Sequence, residues 1–86
     1  MKDIERQLKA LANRRRLAII KFLKKSGKAS VSNIAKEIKL SFKSTSRHLA
    51  VLSAADLVER EQVNLNVFYF LALSIARPAK LVIDYL

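Results

Sequence analysis

Apolar residues recur at intervals of three and four along most of this chain, which is the spacing of an amphipathic helix. The pattern predicts helices over residues 3–12, about 14–25, about 30–39 and 41–55, and a last helix that starts between Ser74 and Pro78 and runs to the end of the sequence. Residues 57–61 and 66–72 instead indicate two extended runs, and the second is rich in β-forming residues. The predicted fold is therefore mainly α with a small β-hairpin, in the order α-α-α-α-β-β-α.

Several residues mark where these elements begin and end. Asn13 and Ser41 are good N-caps, because their side-chain oxygens can accept a free backbone N–H of the first helical turn. Gly27, the only glycine, suits a left-handed end for the second helix, and Asp56 tolerates a left-handed backbone after the fourth. The short turn at residues 40–42 joins two helices, which predicts a helix-turn-helix with the hairpin as its wing.

The stretch from Ser41 to Ala55 combines two unlike surfaces on one predicted helix. Thr45, Leu49 and Leu52 lie three and four residues apart, so they share one face that should be buried. The first two turns contain no acid and instead carry Lys43, Ser44, Ser46, Arg47 and His48. Such a helix suits the major groove of DNA, although a solvated helix face gives the same pattern.

Composition adds a strong positive charge to this picture. The 86 residues contain 17 Lys and Arg against seven Asp and Glu, a net charge of +10, and they predict one small domain over residues 1–86. A charge of this size attracts DNA, RNA or an anionic membrane surface without distinguishing among them. Three arginines, Arg14 to Arg16, crowd the first turn of the second helix, where cations are unfavourable. A phosphate partner or a carboxylate would explain them, although for any one of the three a solvated surface position is the simpler explanation.

Composition also argues against several functions. The chain has no cysteine, which excludes disulfides and thiolate metal sites. One histidine and seven scattered acids form no recognisable nucleophile–base pair, so we expect neither an enzyme nor a cofactor. There is no signal peptide and no apolar run of membrane length, so we expect a cytoplasmic protein without a membrane partner.

Short motifs over nearly all of residues 8–73 resemble the ArsR-type winged helix-turn-helix regulators. Leu-Ala-Asn precedes Arg16-Leu17 in the second helix, and the fourth helix carries Ser-Arg-His-Leu-x-x-Leu. Leu57-Val58 and an aromatic strand at Tyr69 then follow at the family's spacing. The resemblance implies a homodimer formed through the terminal helices, DNA binding by residues 41–52 of each chain, and repression of transcription relieved by a signal.

The resemblance and the apolar stripes together give two sets of candidate residues. The candidates for the dimer interface are Ile4, Leu8, Ile75, Ala79, Val82 and Leu86. The candidates for DNA contact are Ser41, Phe42, Lys43, Ser44, Ser46, Arg47, His48, Arg16 and Arg60. Such a dimer would read an inverted repeat of double-stranded DNA, with its recognition helices about 34 Å apart. No effector is indicated.

Individual side chains have alternative roles. Arg47 could form two hydrogen bonds to a guanine edge or could contact a phosphate. His48 could contact DNA, but a lone histidine on a helix is more often a structural hydrogen-bonding group. Arg16 could reach the DNA backbone, although we favour a role in stabilising the second helix. Phe42, where the family usually has a polar residue, could contact a thymine methyl group, but we expect it to fold back as the apolar anchor of the turn.

The chain also departs from the family at its metal sites and its wing. Ser30 and Ser32 occupy positions where metal-sensing members often have cysteine, and the last helix offers only Asp84, so no transition-metal sensor site is predicted. Residues 62–65, between the predicted strands, contain no cation, so we expect little DNA contact from the wing. The alternative function is a winged helix that docks a protein or binds RNA.

Overall fold

The computed structural model describes residues 2–86, and in this range the order of elements confirms the predicted fold. The elements are α1 (Lys2–Leu11), α2 (Arg14–Ser26), β1 (Lys28–Ser30), α3 (Val31–Ile38), α4 (Phe42–Ala54), β2 (Val58–Val63), β3 (Asn66–Leu71) and α5 (Arg77–Tyr85). The last helix begins at Arg77, within the predicted range of residues 74–78, and Pro78 lies in its first turn, where proline is tolerated. No helix of the described residues is long and apolar enough to cross a bilayer.

The sheet contains one strand more than the predicted hairpin. β1 pairs with the free edge of β3, which gives the antiparallel order β1-β3-β2, and Ala29 and Arg60 both lie opposite Tyr69. The hairpin turn consists of Asn64 and Leu65 alone, and Asn64 adopts a positive φ of 58°. Asparagine tolerates this conformation better than most residues, so the turn forms without glycine.

Most helix ends form where the sequence indicates. The Asn13 side chain accepts hydrogen bonds from backbone N–H groups of the first turn of α2, and Ser41 does the same for α4. Gly27 ends α2 with a positive φ of 86°, but its ψ of −67° lies outside the left-handed helical region. Asp56 has the expected positive φ, 61°. Lys39, which ends α3 in the left-handed region, was not predicted.

The core lies between the helices and the inner face of the sheet. Thr45, Leu49 and Leu52 are all 0% exposed, which confirms that one side of α4 is buried. The core is completed by apolar side chains from every other helix and from the sheet, namely Ala10, Leu11, Ile19, Ile20, Leu23, Ala29, Val31, Ile34, Ala55, Leu57, Val58, Tyr69, Ala79 and Ile83. The fold therefore presents α4 to solvent along one side only.

The terminal helices pack against each other within the same chain. Ala79 is 1% exposed and faces the core with Ile83, so the prediction that Ala79 is available for a dimer interface is wrong. A helix that begins at Arg77 buries this pair one turn apart and turns Leu81 and Tyr85 outward. The other candidates stay at least partly accessible: Leu8 is exposed, and the half-buried ones are Ile4, Ile75, Val82 and Leu86.

Candidate nucleic-acid interface

The polar end of α4 lies at the surface, as a DNA-binding helix requires. Lys43 and Arg47 are four residues apart, share one face and are exposed. Ser44 and Ser46 are half-buried beside them. Ser41 is exposed, and its Oγ accepts the Ser44 backbone N–H at 3.1 Å, so its hydroxyl hydrogen is still available to a phosphate or a base. This end of α4 therefore presents donors and positive charge.

Arg16 connects three helices from a half-buried position. Its Nε donates to the Ala10 carbonyl oxygen and its Nη2 donates to the Lys9 carbonyl oxygen at 3.4 Å, both at the C-terminal end of α1. A cation is favourable at that end of a helix, because the exposed carbonyls carry partial negative charge. Its Nη1 lies 3.3 Å from Nδ1 of His48 on α4. The favoured prediction, in which Arg16 stabilises the second helix, agrees with this geometry.

The contact with Arg16 defines the hydrogen-bonding state of His48. A guanidinium has only donors, so Nδ1 of His48 must be the acceptor and the imidazole is neutral with its proton on Nε2. Burial lowers the pKa of His48 below 6.5, and the positive charges of Arg16 and then Arg15 lower it further. His48 is therefore a structural hydrogen-bonding group through Nδ1, and its Nε2–H is a donor.

A second group of cations lies at the N-terminal end of α2. Arg14 and Arg15 are exposed there, and the positive charge of Arg15 contributes to the lowered pKa of His48 on α4. Among residues 2–86, neither arginine is in an ion pair with an acid, and the same is true of Lys43 and Arg47. The three consecutive arginines were the sequence signal for this group, but only the fold brings one of them, Arg16, into contact with α4.

Phe42 does not anchor the turn. The ring is 59% exposed at the first position of α4, so the prediction that it folds back onto the protein is wrong. Phe42 lies on the same side of α4 as Thr45 and Leu49, but it is the first residue of the helix, one turn before the buried contacts begin, so the core does not cover it. Phe42 instead lines a shallow surface cavity that reaches the turn of the hairpin at Leu65.

The wing carries its charges away from its tip. Arg60 is exposed in the middle of β2, opposite Tyr69. Glu61 forms an ion pair with Nζ of Lys28 on β1, and the same Nζ lies 5.5 Å from the centre of the Phe70 ring. The turn at residues 64–65 has no charged side chain. Arg60 is the only cation in β2 and β3.

No group of three or more His, Cys, Asp or Glu side chains comes together within residues 2–86. Ser30 accepts a hydrogen bond from the Asn33 backbone N–H and caps α3. Asp84 forms an ion pair with Lys80 one turn earlier in α5. Both of these candidate positions thus have structural partners.

One side of α4 is buried and its N-terminal end is polar, and the helix is preceded by α3 and followed by a hairpin. This arrangement defines a winged helix-turn-helix protein of the DNA-binding class. A family model described as bacterial regulatory protein, arsR family, matches residues 13–60, which is more than half of the chain. The chain belongs to this family, whose members are transcriptional regulators. No curated protein matches it significantly.

Solved structures of regulators share the whole fold. Reduced HlyU from Vibrio cholerae is 32% identical, with a TM-score of 0.83 over 98% of this chain and 84% of HlyU. Mb0332 from Mycobacterium bovis, described as a homodimeric winged helix-turn-helix DNA-binding domain, is 28% identical, with a TM-score of 0.83 over 98% of this chain and 75% of that fragment. NolR from Sinorhizobium fredii is 25% identical, with a TM-score of 0.83 over 98% and 80% of the two chains.

The environment of His48 predicts its titration. Because it is the only histidine, its ring signals in an NMR titration are unambiguous, and their midpoint should lie below 6.5. Arg16→Gln should raise the midpoint by removing one neighbouring positive charge, whereas Arg14→Gln should have little effect. In the unfolded chain the pKa returns to its ordinary value, so the free energy of unfolding should decrease as the pH falls through 6.5 and level off above it. A midpoint in the folded protein at or above 6.5 would contradict this assignment.

Proposed function

We propose that this protein is a repressor that binds an inverted repeat of double-stranded DNA as a homodimer. The observation that carries the proposal is the division of α4 into a fully buried side and an exposed, cationic end with no acid. A helix of this kind can enter a major groove without losing the contacts that hold it in the protein. The net charge of +10 would supply the general attraction to DNA.

The proposed contacts divide between base edges and phosphates. Lys43, Ser44 and Arg47 are the candidates for base contact, since they lie in the first two turns of α4, where Lys43 and Arg47 are exposed and Ser44 is half-buried. Ser41 and Ser46 suit phosphate or base-edge contact. The residues proposed to reach flanking phosphates are Arg14, Arg15 and, from the wing, Arg60.

Two members of the predicted site act differently in this proposal. Arg16 uses its donors on the carbonyl oxygens of α1 and on His48, so we assign it to positioning α2 against α4. His48 remains a candidate for DNA contact only through Nε2–H, because its Nδ1 faces Arg16. Either residue would therefore affect DNA binding through the spacing of α2 and α4.

The proposed homodimer forms through α1 and α5. Leu8, Leu81 and Tyr85 are 41%, 64% and 91% exposed on these two helices, a large apolar surface for a chain of 86 residues. Half-buried Ile4, Val82 and Leu86 adjoin them on the same helices. A second copy would cover these side chains and would direct two α4 helices toward the same side of a duplex. The homodimeric description of Mb0332 supports the pairing of two copies.

Arg47 provides the test of DNA readout and repression. With a duplex enriched from a randomised library, Arg47→Ala should lower the preference over a scrambled duplex by about tenfold, since two hydrogen bonds to guanine are worth about 1–3 kcal/mol. Lys25→Ala, at the far end of α2, should leave the preference unchanged. With that duplex placed across a promoter, the wild-type protein should lower reporter expression and Arg47→Ala should not.

The salt dependence of binding distinguishes the two roles of Arg47. If Arg47→Ala kept the full preference and only lowered the salt slope by about 0.9, the arginine would be a phosphate contact and the base-reading assignment would fail. If no duplex were enriched at all, the proposal of a DNA-binding repressor would fail.

The oligomeric state tests the proposed interface. Light scattering after gel filtration should give twice the mass of one chain for the wild type and the mass of one chain for Leu8→Glu and Leu81→Glu, because each places a charge inside the interface. Leu65→Glu, at the hairpin turn, should remain paired. Circular dichroism would verify that the variants fold. A single-chain mass for the wild type at high concentration would contradict the homodimer.

We also propose that regulation does not use a thiolate or terminal-helix metal site. The chain has no cysteine, and among the residues at the family's metal positions Ser30 caps α3 and Asp84 forms an ion pair with Lys80. Protein incubated with zinc and then desalted should therefore retain far less than one ion per chain. A stoichiometric, tightly held ion would overturn this part of the proposal.

A further inference from the structure

We infer that Phe42 and Leu65 form an apolar surface that contacts thymine methyl groups. This inference rests on the proposed DNA-binding function. The two side chains come from different elements, the first turn of α4 and the turn of the hairpin. They are 59% and 95% exposed, yet both line the same shallow cavity of about 230 Å³. The inference specifies what kind of base feature this end of the interface would recognise.

The chemistry of the cavity limits what it can bind. Its lining consists of Ser30, Val31, Ser32, Phe42, Leu65, Asn66 and Val67, with no charged side chain. A phosphate would find no cation there, and burying it without one is costly. The matching ligand is a small apolar group surrounded by polar atoms.

DNA supplies such a group in the major groove. The 5-methyl of thymine is the apolar feature that base pairs present there, and it lies among hydrogen-bond donors and acceptors. Phe42 stands between the N-cap Ser41 and the exposed Lys43, at the end of α4 that carries the proposed base contacts. The apolar surface therefore adjoins the proposed DNA interface at the first turn of α4, and contact with the duplex would remove the exposed Phe42 ring and the Leu65 methyl groups from water.

The position of Leu65 extends the same surface to the wing. The turn has no cation that could contact a phosphate, and its most exposed side chain is a leucine. With Asn64 in a left-handed conformation, the two-residue turn leaves Leu65 on the cavity shared with Phe42. The wing would thus take part in recognition by apolar contact, and its contribution would depend little on salt.

Replacement of thymine by deoxyuridine is the direct test, because it removes only the methyl group. The probe is a duplex enriched by this protein from a randomised library, compared with the same duplex carrying deoxyuridine at the thymines of one half-site. Wild-type protein should bind the deoxyuridine duplex about fourfold more weakly for each contacted methyl group. Phe42→Ala should bind the thymine duplex correspondingly more weakly and should lose sensitivity to the substitution, with an unchanged salt slope.

Two variants serve as comparisons. Leu65→Ala should reduce the sensitivity to deoxyuridine. Val51→Ala removes an apolar side chain that is 42% exposed on the same helix but away from the cavity, and it should retain full sensitivity. Since Phe42 and Leu65 are exposed, their replacement should leave thermal unfolding nearly unchanged.

The outcomes separate this inference from the proposed function. Enrichment of a duplex together with equal affinity for its thymine and deoxyuridine forms would overturn the thymine contact and leave DNA binding intact. Sensitivity that persists in Phe42→Ala would overturn the role of Phe42. Loss of the dimer in Phe42→Glu, seen by light scattering, would show that a second copy covers this surface instead. Failure to enrich any duplex would remove both the inference and the function on which it rests.

Discussion

The burial of one side of α4 is the constraint on which the rest of the structure depends. Thr45, Leu49 and Leu52 have no exposed surface, and each buried leucine contributes about 1.5–3 kcal/mol to folding. The same contacts fix the rotation of the helix about its own axis. Lys43 and Arg47 must then point away from the core. Stability and the presentation of the DNA-binding side chains thus come from a single packing arrangement.

Arg16 adds polar connections to this packing. It places a cation on the C-terminal carbonyls of α1 and meets His48 on α4 through the same guanidinium. Because Arg16 has no acceptor to offer, it keeps the imidazole neutral and fixes its free donor at Nε2. The spacing of α1, α2 and α4 is therefore coupled to the hydrogen-bonding state of a residue beside the proposed interface.

The proposed interface is not uniform in charge. Arg14 and Arg15 extend the positive surface on the α2 side, whereas the cavity between Phe42 and Leu65 is uncharged. Electrostatic attraction and apolar contact would thus act at different ends of the same surface.

The sequence alone determined the helices, their caps at Asn13 and Ser41, and the buried and polar sides of α4. These follow from periodicity and side-chain chemistry within one or two turns, which do not depend on distant residues. It did not determine β1, the inward position of Ala79 or the exposure of Phe42. β1 forms because it pairs with β3, and Ala79 faces inward because of the rotation at which α5 packs. The exposure of Phe42 depends on where α4 meets the core, because an apolar residue at the end of a helix is buried only if another element covers it.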